Sequence, residues 1–138
     1  MYTTSALAEA QSVTEDMPES KIAEREKRGA PRFPVHKASV LRRNDNEIYT
    51  TLINVSASGV AFLSAVELEM GEEVTLKCHS TQNEEIVQLD LPITIVRCHF
   101  DEKELEYEVG AKLQKVTFEY REMLKHIAET YSKLAHLN

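Results

Sequence analysis

Residues 48–63 read IYTTLINVSASGVAFL. Two β-branched, apolar runs, Ile48 to Val55 and Val60 to Leu63, flank the small polar stretch Asn54-Val55-Ser56-Ala57-Ser58-Gly59. That pattern is a strand, a turn and a second strand. Outward from it the period stays at two. Val35 to Leu41 forms a preceding strand, ended by the turn-forming run Asn44-Asp45-Asn46. After Gly71, Val74, Leu76 and Cys78 alternate with Thr75, Lys77 and His79, and Ser80 to Glu84 is a polar connection. Leu89, Leu91, Ile93 and Ile95 alternate next, and then Val96 and Cys98 shift the phase by one. A bulge near Pro92 or Ile95 explains such a shift, because it adds one residue to one strand. Asp101 to Glu104 makes a further turn, and Leu105, Tyr107, Val109, Ala111 and Leu113 give the cleanest alternation of all. The last segment changes period: Tyr120, Leu124, Ile127, Tyr131 and Leu134 recur at helical spacing. The expected fold is mainly β, six antiparallel strands closed into a small barrel, with a C-terminal amphipathic helix over an open end or flank.

The chain has 138 residues with a net charge of −7, and its apolar content of 42% excludes wholesale disorder. The charge is segregated. Residues 1–20 hold four acids and no base; residues 21–43 hold eight bases and two acids, a net of +6; residues 44–138 carry −9. This divides the chain into a flexible acidic tail and linker over 1–24 and a domain over 25–138. Within the domain the spacing predicts a basic arm (25–34), a barrel (35–117) and a helix (118–136). Pro31 and Pro34 force an extended path on the arm. No apolar run reaches the roughly 18 residues that span a bilayer. The amino terminus has no basic start and the two cysteines suggest no disulfide framework, so a cytoplasmic location is expected.

Two motifs carry chemistry. Arg28-Gly29-Ala30-Pro31-Arg32 is an R-x-x-x-R preceded by Arg25 and Lys27, and Asn54 to Gly59 is an N-x-S-x-x-G. Alone, the first reads as a solvated charged linker and the second as a side-chain-stabilised turn. Together they are complementary. Guanidiniums on an irregular segment can grip phosphate or the acceptor edge of guanine bidentately. They can also stack on a purine, at about 0.5–2 kcal/mol per contact. The Asn54 amide can read a base edge, Ser56 offers a hydroxyl, and Gly59 permits a turn or a close approach of backbone to ligand.

In this order and strand context the two motifs resemble those of the PilZ domain, a family of bacterial receptors for cyclic di-GMP. The resemblance covers about residues 25–136, and Tyr107 to Leu113, YEVGAKL, is similar to the family's late strand with its central glycine. It implies a PilZ-type barrel in which Arg28 and Arg32 grip guanine and phosphate while Asn54, Ser56 and Gly59 contact guanine from the barrel side. Asn54 stands where the family more commonly has Asp, keeping an acceptor without the charge. Lys27 occupies a position that, by the resemblance, influences whether one or two ligand molecules bind.

The resemblance further implies a receptor, not an enzyme, with cyclic di-GMP as ligand and no other cofactor. Ligand binding is expected to order the arm and relay a signal to a downstream protein controlling motility, adhesion or exopolysaccharide. The alternative is a divergent PilZ-like module that signals through protein contacts without the nucleotide. Other chemistries find little footing. Cys78-His79 and Cys98-His99 are a legal zinc set, but neighbours on a strand point to opposite faces, so both cysteines are expected in the core and no metal is expected. His36, Asp45 and Asp90 show no catalytic spacing. The acidic strands, with only Phe33 beside the basic island, argue against a nucleic-acid-binding barrel, and no membrane insertion is expected.

Overall fold

The alternation between Val35 and Leu113 becomes six antiparallel strands in the computed structural model, which describes residues 31–137. They are β1 (Phe33–Arg43), β2 (Asn46–Val55), β3 (Gly59–Ser64), β4 (Glu73–Gln82), β5 (Glu85–Asp101) and β6 (Glu106–Leu113), followed by α1 (Phe118–Leu137). The strands close into a barrel in the order β1-β2-β3-β6-β5-β4, with β4 returning to β1 from Ser39↔Cys78 to Arg42↔Thr75. β1 starts two residues before the expected barrel boundary.

β5 is long because it serves two neighbours. Its first half pairs with β4 (Gln82↔Glu85 to Glu73↔Thr94) and its second half with β6 (Ile93↔Leu113 to Asp101↔Glu106). The register with β6 slips between Ile95 and Arg97, so the expected bulge is present and Val96 is its extra residue. Before the bulge, Leu89, Leu91, Ile93 and Ile95 point inward and are buried. They join Leu41, Leu52, Val55, Phe62, Leu76, Cys78 and Val109 in one core.

The helix closes the barrel end at the β2–β3 turn. Thr117 caps it, its Oγ1 accepting from the Tyr120 N–H at 3.1 Å. The buried Tyr120 and Met123 then seal the core, and Tyr120 donates its hydroxyl to the Ser56 carbonyl at 2.6 Å. Burial pushes the Tyr120 phenol well above its ordinary pKa, so the hydroxyl stays a donor. Farther along, Tyr131 packs on Phe33 with ring centroids 5.7 Å apart and donates to the Pro34 carbonyl at 2.6 Å. At the opposite end of the barrel Arg43 makes a two-bond ion pair with Glu72 (2.5 and 3.1 Å). Among the described residues, no helix is long and apolar enough to cross a membrane.

Three expectations need correction. Leu105 is not the first residue of the last strand: it is 72% exposed in the β5–β6 turn at φ +58°, its N–H bonded to the Asp101 carbonyl. An apolar residue happened to extend the alternation into a turn. Cys98 is only half-buried, whereas Cys78 is fully inside and its thiol is pushed up to about 11 by burial. The bulge keeps Cys98 on the inward phase, opposite the buried Val109, but β5 has by then passed its last pair with β4 at Thr94 and is flanked on one side only. The polar connection at 80–84 shrinks to Asn83 and Glu84, both with positive φ, as a two-residue hairpin turn requires.

Candidate functional site

A row of directly paired residues crosses four strands: Asn54 on β2, Ala61 on β3, Gly110 on β6 and Arg97 on β5. Paired residues share a face, and the neighbouring row of Val55, Val60, Ala111 and Ile95 is buried inside. The first row therefore lies on the outer wall. Its centre is small and its ends are long and polar. A depression follows on what would otherwise be a convex surface. Gly59 and Lys112, paired on the same face, extend it.

The resulting cavity, about 300 Å³, is lined by Arg32, Asn54, Ser56, Ser58, Gly59, Arg97 and Lys112, with Val60, Ala61, Val96, Gly110 and Ala111. Three of these carry positive charge and, among the described residues, none of the lining is acidic, in a body whose 95 residues from Asn44 onward total −9. The cavity is thus a local cationic site suited to a small anion. Among the described residues, Asn54 Oδ1 is the one buried side-chain oxygen or nitrogen without a hydrogen-bond partner. An unpaired buried acceptor costs about 1–3 kcal/mol unless something supplies a donor, so it suits a ligand N–H.

Of the residues singled out from the sequence, Arg32, Asn54, Ser56 and Gly59 meet at this cavity. Lys27 and Arg28 lie outside the described residues. Ser56 has a constructional task as well. Its Oγ accepts from the Gly59 and Ser58 N–H groups (3.2 and 3.4 Å) and donates to the Gly59 carbonyl (3.3 Å), tying the turn together. The reason for glycine at 59 is also different from a positive φ. A Cβ there would stand 2.6 Å from the Ala111 carbonyl oxygen, so the residue lets β3 and β6 backbones approach each other. Arg97 and Lys112 were missed. Their membership depends on the pairings Arg97↔Gly110 and Gly59↔Lys112 between distant strands, which local periodicity does not reveal even where it marks the bulge at Val96.

The PilZ domain family model matches residues 26–129. The chain belongs to the PilZ domain family. No curated protein matches this sequence. Among solved structures, the Bacillus subtilis inhibitor of motility MotI/DgrA superposes with a TM-score of 0.70 at 19% identity, over 86% of this chain and 58% of its own. This PilZ chain thus spans little more than half of that protein. The PilZ domain of Escherichia coli YcgR with c-di-GMP gives a TM-score of 0.58 at 12% identity, over 80% of this chain and 95% of that one. YcgR in complex with c-di-GMP gives 0.59 at 13%, over 81% and 51% respectively. At these identities the likeness concerns the fold: a mainly β PilZ barrel with a C-terminal helix.

Proposed function

We propose that this PilZ domain is a receptor for cyclic di-GMP that acts by changing conformation and leaves the nucleotide intact. The observation that carries the reading is the meeting of Arg32, Asn54 and the Ser56–Gly59 turn in one cavity that no acidic side chain lines among the described residues. Arg32 is the second arginine of the R-x-x-x-R, so Arg28, four residues earlier, belongs to the same short arm. A ligand with two phosphates and two guanines meets charge from the arm, Arg97 and Lys112, and an unpaired acceptor at Asn54. The YcgR neighbours were solved with c-di-GMP, which supports the same ligand class here. Lys27, beside Arg28, adds a cation that can contact phosphate without stacking as arginine does.

The relay has a structural starting point. Phe33 and Pro34 follow Arg32 directly, and both contact Tyr131 on α1. Ligand-driven ordering of the arm on the cavity would reach the helix through that contact and reshape a surface for an unidentified downstream protein. Control of motility, adhesion or exopolysaccharide is the class of output this reading implies.

Calorimetric titration with cyclic di-GMP tests the proposal and gives the stoichiometry at once. Arg28→Ala and Arg32→Ala should each lose about 1.5–3 kcal/mol, tenfold or more in affinity. Unchanged affinity in both variants sinks the site. No heat and no shift in melting temperature with the unaltered protein favours the module that signals without the nucleotide. Recovery of a hydrolysed product after incubation would point to an enzyme instead.

A further inference from the structure

The guanidinium of Arg97 lies in an unusual way over Gly110. A Cβ on that glycine would stand 3.1, 3.2 and 3.3 Å from Arg97 Nη2, Cζ and Nε. Near-equal distances from one point to three atoms of a planar group place the point above the plane. A point in the plane, beyond the Nε–Nη2 edge, would be roughly half an ångström farther from Cζ than from the nitrogens, given ordinary guanidinium geometry. The guanidinium is therefore laid face-down on the Gly110 backbone. A second contact steadies its edge, with Nη2 3.6 Å from Glu108 Oε2. About half of the Arg97 side chain remains exposed (47%), in the wall of the cavity. Beside it stands the half-exposed, apolar Val96, put there by the bulge.

A flat cation with one face on backbone and about half of its side chain exposed in a cavity wall is a platform for a planar heterocycle. We propose that Arg97 stacks against one purine base of the bound nucleotide, and that Gly110 positions it by having no side chain. This inference rests on the cyclic di-GMP reading of the same cavity. It adds to that reading a contact from the barrel wall, independent of the R-x-x-x-R arm. Because stacking is indifferent to a base's edge groups, Arg97 contributes affinity, and the choice of guanine stays with Asn54 and the arm.

Titrations of the full chain with cyclic di-GMP separate a platform from a mere positive charge. Arg97→Ala should weaken binding by about three- to thirtyfold, the range of a cation–π contact. Arg97→Lys keeps the charge and loses the plane, so it should bind within about twofold of the alanine variant. Arg97→Trp keeps a plane without charge and should recover most of the affinity. Gly110→Ala should weaken the unaltered protein yet cost nothing further in an Arg97→Ala background, as a double-mutant cycle requires of a positioning residue. If lysine binds as tightly as arginine, Arg97 is a phosphate cation and the stacking role is wrong. If Arg97→Ala keeps full affinity while Arg32→Ala loses it, the inference fails and the receptor reading stands. If the unaltered protein gives no binding, both fall together. An undiminished penalty for Gly110→Ala in the Arg97→Ala background would overturn the positioning role. Melting temperatures measured alongside report any variant that loses the fold, and Arg97→Lys against Arg97→Trp then decides between matched, folded proteins.

Discussion

The β2–β3 and β4–β5 turns both reverse the chain between antiparallel strands, yet they are built on different principles. The β4–β5 turn is two exposed residues, Asn83 and Glu84, each in the left-handed region. Backbone conformation does all the work there, and residue identity matters only through tolerance of positive φ. The β2–β3 turn has no left-handed residue. It is held by the Ser56 hydroxyl, by the Ser56 N–H to the Gly59 carbonyl at 2.9 Å, and by Tyr120 reaching in from 64 residues away. The first turn is a local solution. The second depends on the helix and on β6, and that dependence places Asn54 and Arg32 over a cavity.

The dependence of the β2–β3 turn on the helix is most exposed to mutation at Tyr120. Tyr120→Ala should cost about 3–5 kcal/mol, as for other large buried side chains. Tyr120→Phe should cost about 1–2 kcal/mol through the stranded Ser56 carbonyl. Urea unfolding measures both, and a Phe variant as stable as the parent would mean that the turn does not need the helix. Next comes Gly59→Ala, whose Cβ would collide with the Ala111 carbonyl. A loss of about 1–3 kcal/mol is expected, together with weaker nucleotide binding, because β3 must move away from β6. At Asn54 stability and binding should part company. Asn54→Ala removes a buried acceptor that has no partner, so unfolding free energy should hold or rise slightly while affinity for cyclic di-GMP falls about tenfold. A large loss of stability there would show that the amide serves the fold. The smallest effect belongs to the other turn: Glu84→Gly should stabilise by about 0.5–1 kcal/mol by relieving a left-handed residue, and leave binding untouched. A change in affinity from that position would erase the distinction between the turns.

Much of this architecture was legible because strand and helix periods are local. The alternation of Leu89 to Ile95, the slip at Val96 and the helical stripe through Tyr120 and Ile127 all reappear in the structure. Where the reading failed, a local cue had been overruled. Leu105 kept the alternation but fell in a turn, and Cys98 kept the phase but sat where β5 is flanked on one side only. Met123, which the expected stripe left out, lies on the same helical face, three residues after Tyr120 and four before Ile127, and is buried where the first turns of α1 plug a barrel end.

The strand pattern, the C-terminal helix, the order of the two motifs and the segregation of charge into one basic island are all written in the order of residues along the chain. Those properties follow from covalent geometry and from residue types near one another in the chain. Which residues share the cavity is set by the folded barrel. Asn54, Ala61, Gly110 and Arg97 form a row because barrel closure and two register slips, between Leu52 and Asn54 on β2 and between Ile95 and Arg97 on β5, set which residues of four strands pair. Pairing between strands tens of residues apart leaves no local period to read. The same physics explains why the glycine at 59 was noticed for its motif, while its reason, a β6 carbonyl within reach of any side chain, became visible only after the barrel closed.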